Sequence, residues 1–340
     1  MSRTSTPDLA RRLRDLLRHR VDPNVDFSAP PTPLTGGGFT AMYQFELLGA
    51  PPEWSAPLVL RLVPFPHNQV LIEAALQEGA RAAGVPAPAV RLVEQRADLL
   101  GVPFMVMEKL PGHGFVRGIQ WHRFTQSFPA LVVSWPETFA RVLALLSAAD
   151  VAPAIGALER LGISAEHALT TRHLAWAEEQ LGEEPDFAEF LAWLKLQRPE
   201  LPTRLSLVHG DLWPANVLVK GKAITGLVDW TMGGIGDPAL DLGFALVGMA
   251  RMPEPFPPPP PIRNVLHAAG VNIARRMHEK VASRDYDTDR VAYFEALRCA
   301  VELAGVHMGR RVGRPDGWEH GVPALLGHVR KITGIDIRFH

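Results

Sequence analysis

The sequence predicts an α+β protein in which an N-terminal antiparallel sheet with one helix precedes a larger, mainly helical part. Three observations support this class. Residues 39–47 alternate strictly between the two faces of a half-buried strand. Residues 70–83 have helical spacing and end at Gly84. Beyond Pro111-Gly112 most segments have the spacing and length of helices.

The elements follow in chain order. A first helix is predicted over residues 6–20, where the leucines form one apolar stripe that indicates packing against a core. An Arg-rich amphipathic start is also typical of a targeting sequence, and Asp8 and Asp15 argue against that interpretation. The further predictions are strands at 58–63, near 90–94 and near 103–107, and helices at 136–148, 166–181, 186–197, 262–282, 287–309 and 320–333.

Composition narrows the possible partners. The chain has 340 residues, of which 47% are hydrophobic and 21% charged, and its formal net charge is -1. This balance is ordinary for a globular enzyme and provides no basic field for nucleic acid. No apolar run approaches the roughly 18 residues of a membrane span. We therefore expect neither a nucleic-acid nor a membrane partner, and composition leaves the oligomeric state open.

Cysteine usage and one low-complexity run bear on the setting of the protein. Cys299 is the single cysteine, so an internal disulfide is impossible and a reducing, cytoplasmic location is expected. The N-terminus lacks the apolar core of a signal peptide.

Residues 252–261, which include five consecutive prolines, favour an extended spacer, and a ligand for a proline-binding domain is the alternative.

Two segments carry the candidate chemistry. The stretch LVHGDLWPANVLV, residues 207–219, places polar side chains between apolar flanks, where they are costly unless they have partners. A second stretch, GLVDWTMGGIGDPALDLG, follows at 226–243. Together they place Asp211, Asn216 and Asp229 in the pattern H-G-D-x-x-x-x-N, with a further Asp thirteen residues later.

This pattern resembles the catalytic and metal-binding segments of the aminoglycoside phosphotransferase family, the small-molecule branch of the protein-kinase-like fold. The GDPALDLG continuation, the N-terminal sheet with its glycine cluster, and the connector PFMVMEKLPG at 103–112 are similar to that branch as well. The resemblance implies a bilobal protein-kinase-like fold. Residues 1–110 would form a nucleotide-binding lobe, and residues 111–340 a helical lobe with the catalytic loop and the acceptor site.

The resemblance implies an ATP- or GTP-dependent O-phosphotransferase. Catalysis of phosphoryl transfer is mainly positioning and charge stabilisation. Asp211 would accept the proton of the acceptor hydroxyl, and Asn216 and Asp229 would hold Mg²⁺, which prefers oxygen ligands and keeps some waters. His209 and Asp241 would brace the loop. In the alternative interpretation the loop is merely polar, with Asp211 capping a turn and Asn216 satisfying the backbone.

The first lobe contains candidates for phosphate contact. Glycines permit close approach of a phosphate to the backbone, and a plain hairpin turn is the alternative. Arg61 in LVLRLV stands where the resembling family has a lysine that holds the α- and β-phosphates. A solvated strand face is the alternative for Arg61. The glycine candidates are Gly36, Gly37 and Gly38.

Three further positions in this lobe follow from the resemblance. Glu73 on the predicted helix would pair with the phosphate-binding cation, and a solvated helical glutamate is the alternative. Glu108 to Leu110 lie in the connector, where backbone groups would meet adenine.

The acceptor is predicted to be a small molecule. Only seven residues separate Asp229 from Asp237, and no arginine precedes Asp211 as in protein kinases. Residues 262–340 contain thirteen Lys and Arg against nine Asp and Glu, so we expect a neutral or anionic acceptor, such as a hydroxy acid or its thioester, over a polycation. Arg311 and Arg314 are the candidate acceptor-binding residues.

Two other interpretations concern the function as a whole. The stretch LSAADVAPAIGALERLGIS, residues 146–164, makes the chain similar to kinase-like domains associated with acyl-CoA dehydrogenases. A non-catalytic nucleotide-binding module is the alternative to an enzyme, and the presence of Asp211 argues against it because such a module needs no base. A metal hydrolase is a third possibility, and the sequence has too few histidines near His209 for a closed site.

Overall fold

The structure is a computed structural model of the chain, and it describes residues 6–34, 40–64, 68–116, 121–250, 260–281, 286–313, 319 and 321–339. The chain divides into two compact units. Unit 1 comprises the described residues of Met1–His113, Val151–Ala165 and Leu218–Thr231, and unit 2 those of Gly114–Asp150, Glu166–Val217 and Met232–His340.

Helices and strands are numbered here in chain order. Within the described residues the helices are α1 Thr6–Arg20, α2 Gln69–Ala82, α3 Ala97–Leu100, α4 Trp121–Ala148, α5 Ala152–Arg160, α6 Arg172–Leu181, α7 Ala188–Leu196, α8 Ala239–Ala250, α9 Pro260–Val281, α10 Thr288–Arg311 and α11 Val322–Thr333. The strands are β1 Asp26–Phe27, β2 Thr32–Leu34, β3 Ala41–Phe45, β4 Leu47–Leu48, β5 Leu58–Leu62, β6 Val90–Glu94, β7 Phe104–Glu108, β8 His113–Gly114, β9 Ser206–Val208, β10 Val217–Lys220, β11 Ala223–Leu227 and β12 Gly234–Gly236.

Unit 1 is built on a five-stranded antiparallel sheet with the order β2-β3-β5-β7-β6. Apolar side chains of β5 and β7 are buried, and the leucine stripe of α1 belongs to the same core, as the spacing predicts. Arg61 lies in the central strand β5, opposite Met42 on one side and Met105 on the other. A charged side chain in this central position needs a partner.

Helix α2 supplies that partner. It packs against α5 within unit 1, and a Cβ at Gly79 would lie 2.3 Å from the Cα of Ala154, so the helix crossing requires glycine. Glu73 and Gln77 of α2 are both buried. The inner face of α2 therefore carries a carboxylate into the core, where Arg61 meets it.

Unit 2 is mainly helical and is organised around α10. This helix contacts α6, α7, α8 and α11, and half of its residues are buried, which explains why it is apolar on several faces. Strand β9 pairs antiparallel with β12, with Leu207 opposite Ile235. The chain leaves β9 directly into His209 and Asp211, so this short ribbon determines where the candidate catalytic loop begins.

The sequence predicted most elements near their observed bounds, with two differences in type and length. The helix predicted at 136–148 is the second half of α4, which also contains Pro129 and Pro136. Proline usually starts or breaks a helix, so the pattern was recognised only from Pro136 onward. The helix predicted at 166–181 is a short 3₁₀ turn, Ala165–Ala168, followed by α6.

Helices α3, α5 and α8 were not predicted. Nearly every residue of α8 is buried, so its sequence lacks the amphipathic spacing that identifies surface helices. The predicted division at residues 110/111 treats each lobe as continuous in sequence. The compact units instead place Val151–Ala165 and Leu218–Thr231 with the N-terminal sheet.

One described segment passes a test of length and apolarity for crossing a membrane, contrary to the expectation from apolar runs alone. The segment is Gln126–Ala148 in α4. Its side chains Leu131, Trp135, Phe139 and Val142 are buried within unit 2. Burial of this apolar face is typical of a core helix.

Candidate active site

The candidate catalytic loop begins in unit 2 with two residues that have little freedom. His209 is fully buried. Gly210 has φ 73°, and a Cβ there would lie 2.1 Å from the carbonyl oxygen of Met232. Any other residue at position 210 would collide with backbone, so the glycine of the H-G-D pattern is a packing requirement.

Asp241, in the first turn of α8, holds these two residues. Its carboxylate accepts a hydrogen bond from His209 N at 3.0 Å and another from Gly210 N at 2.7 Å. Burial raises the pKa of Asp241 to about 7, opposed by these hydrogen bonds and reinforced by the charge of Asp211. His209 Nδ1 accepts from Asp211 N at 3.3 Å. These contacts suit the predicted bracing role of both residues, which stays a prediction.

Asp211 and Asn216 lie together, as the five-residue spacing predicts. Asn216 Nδ2 donates to Asp211 Oδ2 at 2.9 Å and to the Asp211 carbonyl at 3.0 Å. The intervening turn is tight, because Trp213 N donates to the Asp211 carbonyl and Asn216 N to the Trp213 carbonyl. The side chain of Asp211 is 31% exposed. The carboxylate is thus both oriented by the protein and reachable from solvent.

A cation that the sequence analysis missed also holds Asp211. Arg298 of α10 places Nη2 3.2 Å from Asp211 Oδ1, and Nη1 donates to the Gly210 carbonyl at 3.3 Å. Glu302, one turn further along α10, lies 2.6 Å from the same Nη2. One signal could have identified the pair: Arg and Glu spaced i,i+4 inside the otherwise apolar run around Cys299.

Unit 1 contains the second set of predicted residues. Arg61 Nε lies 3.0 Å from Glu73 Oε1, and Arg61 Nη2 donates to Asp229 Oδ1 at 2.8 Å. The side chains of Arg61 and Glu73 are 3% and 1% exposed, so neither lies on a solvated face. Burial lowers the pKa of Arg61, but the charges of Glu73 and Asp229 outweigh burial and hold this pKa above its ordinary value.

Thr231 extends this set. Its hydroxyl accepts from Arg61 Nη2 at 2.6 Å and donates to Asp229 Oδ1 at 2.7 Å, and its carbonyl accepts from Gln69 Nε2 at 2.6 Å. Asp229 has φ 66°, the one positive φ outside glycine among the described residues. A non-glycine residue in the left-handed region often marks a functional constraint. Its side chain is 35% exposed, so it can reach a ligand.

The connector residues are held inside unit 1. Glu108 ends β7, and its N–H donates to the Ala89 carbonyl at 2.9 Å. Lys109 N donates to the Pro57 carbonyl at 2.7 Å. Leu110 packs closely on Gly226, where a Cβ would lie 2.6 Å from Leu110 Cδ1. The N–H groups of Glu108 and Lys109 already donate to backbone carbonyls. The N–H of Leu110 is therefore the connector's candidate donor to the purine ring of a nucleotide.

Several predicted residues are not brought into either set. Gly36, Gly37 and Gly38 lie outside the described residues, as does Arg314. Arg311 is exposed at the end of α10, thirteen residues and therefore about 20 Å along the helix from Arg298. The structure does not place Arg311 beside Asp211. A direct contact from Arg311 would need an acceptor of similar length.

The residues suit a magnesium ion better than a transition metal. Among the described residues, no group of three or more His, Cys, Asp or Glu is arranged to hold a metal. Mg²⁺ takes few protein ligands beside substrate phosphates, so one carboxylate and one amide oxygen suffice. The amide nitrogen of Asn216 donates to Asp211, so the carbonyl oxygen is the atom of this side chain that could ligate a cation. Ligation of Mg²⁺ by Asn216 and Asp229 stays a prediction.

The comparisons with known proteins concern the family and the fold. A model of the phosphotransferase enzyme family (APH) matches residues 33–282. The structure is similar to aminoglycoside phosphotransferase APH(4)-Ia in a ternary complex with ADP and hygromycin B, with a TM-score of 0.60, 16% identity, and 94% of this chain and 97% of that chain covered. It is also similar to macrolide 2'-phosphotransferase MphH from Brachybacterium faecium, with a TM-score of 0.53, 18% identity, and coverage of 94% and 98%.

One curated relative is a much longer protein, of which the chain matches only a part. Over 182 residues the chain is 25% identical to acyl-CoA dehydrogenase family member 10 of Mus musculus. The match spans 52% of this chain and only 16% of the length of the mouse protein. This relative accords with the similarity to kinase-like domains associated with acyl-CoA dehydrogenases.

The chain belongs to the phosphotransferase enzyme family, and its fold is that of the kinase-like members. The predicted family and fold class are therefore confirmed. The matched family is one of phosphotransferase enzymes, so its members transfer phosphoryl groups.

Proposed function

We propose that this enzyme transfers the γ-phosphoryl group of ATP or GTP to a hydroxyl of a small metabolite, with Asp211 as the base. The observation that supports this most is the orientation of Asp211. Its Oδ2 is held by Asn216 and its Oδ1 by Arg298, while nearly a third of its side chain is exposed. A base must be oriented before the proton that it accepts arrives.

The nucleotide would be held by residues of unit 1. Arg61 would contact the phosphates, with Glu73 fixing its guanidinium, and Gly36, Gly37 and Gly38 would approach the phosphates through their backbone. Glu108 to Leu110 would meet the base. When bound, Mg²⁺ would neutralise charge on the phosphate oxygens, with Asn216 and Asp229 as its protein ligands.

For Asp229 this proposal has a specific consequence. Its Oδ1 is paired with Arg61 and Thr231, so the residue that would contact the phosphates also orients the carboxylate that would hold the metal.

The acceptor would be a neutral or anionic hydroxylated molecule, such as a hydroxy acid or its thioester. The basic excess after residue 262 supports this, as does the relative named for acyl-CoA dehydrogenase. Contact of Arg311 and Arg314 with the acceptor stays a prediction, and for Arg311 it applies only to an extended acceptor. A cytoplasmic location is proposed on the single buried cysteine, Cys299.

The test is a panel of hydroxy acids, their thioesters, aminoglycosides and macrolides, each with ATP or GTP, scored for acceptor-dependent ADP or GDP release and for product mass. Asp211→Asn should lower turnover by about 10²- to 10⁴-fold while nucleotide affinity stays near that of the wild type. Asp186→Asn, an exposed carboxylate of the same unit, is the control and should change neither.

The alternative is a module that binds nucleotide without transferring phosphate. Such a protein would be stabilised by Mg·ATP, yet release no ADP with any acceptor. Equal turnover by the wild type and Asp211→Asn would instead remove Asp211 from the reaction while leaving an enzyme.

A further inference from the structure

We propose that Arg298 is a positioning residue for phosphoryl transfer, acting through Asp211, and that Glu302 holds it in place. This inference rests on the proposed function, since it assigns Arg298 a task only if Asp211 is the base. Arg298 comes from α10, 87 positions after Asp211, and lies outside both sequence segments that carry the candidate chemistry.

The first argument is the pair of contacts that Arg298 makes with the loop. Nη2 meets the Asp211 carboxylate at 3.2 Å, and Nη1 donates to the Gly210 carbonyl at 3.3 Å. One guanidinium therefore holds the side chain of the base and the backbone just before it. Because Asn216 donates to the other carboxylate oxygen, the two oxygens of Asp211 have different donors. Rotation of the carboxylate would break one contact or the other.

The second argument is that Arg298 is itself immobilised. Its side chain is 12% exposed. The guanidinium lies 5.3 Å from the centre of the Phe244 ring, Nη1 lies 3.4 Å from the Met232 sulfur, and Nη2 lies 2.6 Å from Glu302 Oε1. A planar guanidinium with contacts on several sides keeps its donors in fixed positions and therefore fixes the orientation of the Asp211 carboxylate. A lysine would supply the charge without that geometry.

The third argument concerns charge. Among the described residues, Arg298 is the one cation within ion-pair distance of Asp211. Glu302 and Asp241 are acidic neighbours of this loop, and His173 is a histidine close to Arg298. Burial lowers the pKa of His173 to about 3, so this ring adds no positive charge. Arg298 offsets the mutual repulsion of these carboxylates around the base.

A second arginine of α10 provides a matched control. Arg290 pairs with Asp237 and donates to the Glu200 carbonyl, so it is also an ion-paired residue that anchors α10 in unit 2. It lies eight residues, about 12 Å along the helix, from Arg298. Loss of Arg290 tests the effect of a broken α10 ion pair that does not involve Asp211.

The experiment measures kcat, acceptor KM and melting temperature for Arg298→Met, Arg298→Lys, Arg290→Met and the wild type, with the acceptor that the panel identifies. Arg298→Met should lower kcat about 10²-fold while acceptor KM changes by less than about threefold, because orientation of the base affects the reacting complex. Arg298→Lys should recover about tenfold of that loss. Arg290→Met should leave kcat within about threefold of the wild type. Should the methionine variant not fold, the lysine variant carries the same comparison.

A double-variant cycle separates positioning from a general structural effect. In the Asp211→Asn background, Arg298→Met should change kcat by less than about threefold, because the group that it orients is gone. Effects that multiply, or a kcat for Arg298→Met that matches Arg290→Met, would overturn the inference while leaving the proposed function intact. A wild type that transfers phosphate to no acceptor and hydrolyses no ATP would overturn both.

Discussion

Two charged clusters, one in each unit, have the same composition and different surroundings. The Arg61 cluster comprises Arg61, Glu73 and Asp229, and the Asp211 cluster comprises Arg298, Glu302 and Asp211. Each contains one arginine and two carboxylates. In the first cluster the central pair is almost fully buried. In the second the carboxylates of Asp211 and Glu302 are 31% and 25% exposed.

The difference shows that burial decides how much an ion pair contributes to the stability of the fold. A buried pair that loses one partner leaves a charge in a medium that cannot solvate it, so the free energy of unfolding decreases strongly. A partly exposed pair is screened by water and contributes less to stability. We therefore expect changes in the Arg61 cluster to affect folding first, and changes in the Asp211 cluster to affect turnover first.

The largest effect should come from breaking the buried pair. Glu73→Ala should lower the free energy of unfolding by about 3 kcal/mol, because Arg61 keeps only Asp229 as a charged partner. Glu302→Ala should lower it by about 1 kcal/mol or less. Denaturant unfolding measures both, with Glu78→Ala on the less buried side of α2 as the control. Equal losses in the two clusters would contradict the proposed division.

The brace behind the Asp211 cluster should make stability depend on pH. The pKa of Asp241 is about 7 in the folded state, whereas its ordinary value is 3.8. The native protein therefore binds a proton at the Asp241 carboxylate more tightly than the unfolded chain does. Stability should therefore decrease as pH rises from about 4 to about 7, by at most about 1.4 kcal/mol per pH unit. Asp241→Asn should remove this component, so its unfolding free energy should have a flatter slope between pH 5 and 7. Parallel slopes for the two proteins would show that Asp241 ionises normally.

A smaller effect, on the melting temperature, should test whether Mg²⁺ binds with the nucleotide at Asp229. Mg·ATP should raise the melting temperature by a few degrees more than ATP with EDTA, because a ligand that binds only the native state stabilises it. Asp229→Ala should abolish this metal-dependent increment, whereas Asp186→Asn should keep it. An increment that survives in Asp229→Ala would place the metal on other residues.

The smallest effect should come from the exposed arginine. Arg311→Glu should change kcat/KM for a short hydroxy acid by less than about twofold, since its charge is screened and lies about 20 Å along α10 from Arg298. The same substitution should matter more for a long thioester acceptor. Steady-state kinetics with both acceptors tests this, and a large effect with the short acceptor would show that the acceptor site extends to the end of α10.

Local sequence patterns were sufficient to predict much of the architecture and the two segments that carry the candidate site residues. The alternation in β3 and the spacing of α1 and α2 reflect burial on one face, which any one-sided element must show. Helices α3, α5 and α8 were not predicted, because α8 is buried on nearly all faces and α3 and α5 are short. The prolines inside α4 concealed its first half.

The sequence by itself determined the family, the order of sheet and helices, and the positions of Asp211, Asn216 and Asp229, since short loops keep these residues at constant spacing. Tertiary structure alone decided which groups partner them. Arg298 and Asp211 are 87 residues apart, and Arg61 and Asp229 are 168 apart, so no local pattern relates them. Packing of α10 on α8 and of α2 within unit 1 brings these charges together, because a buried charge must find its partner wherever the fold provides one.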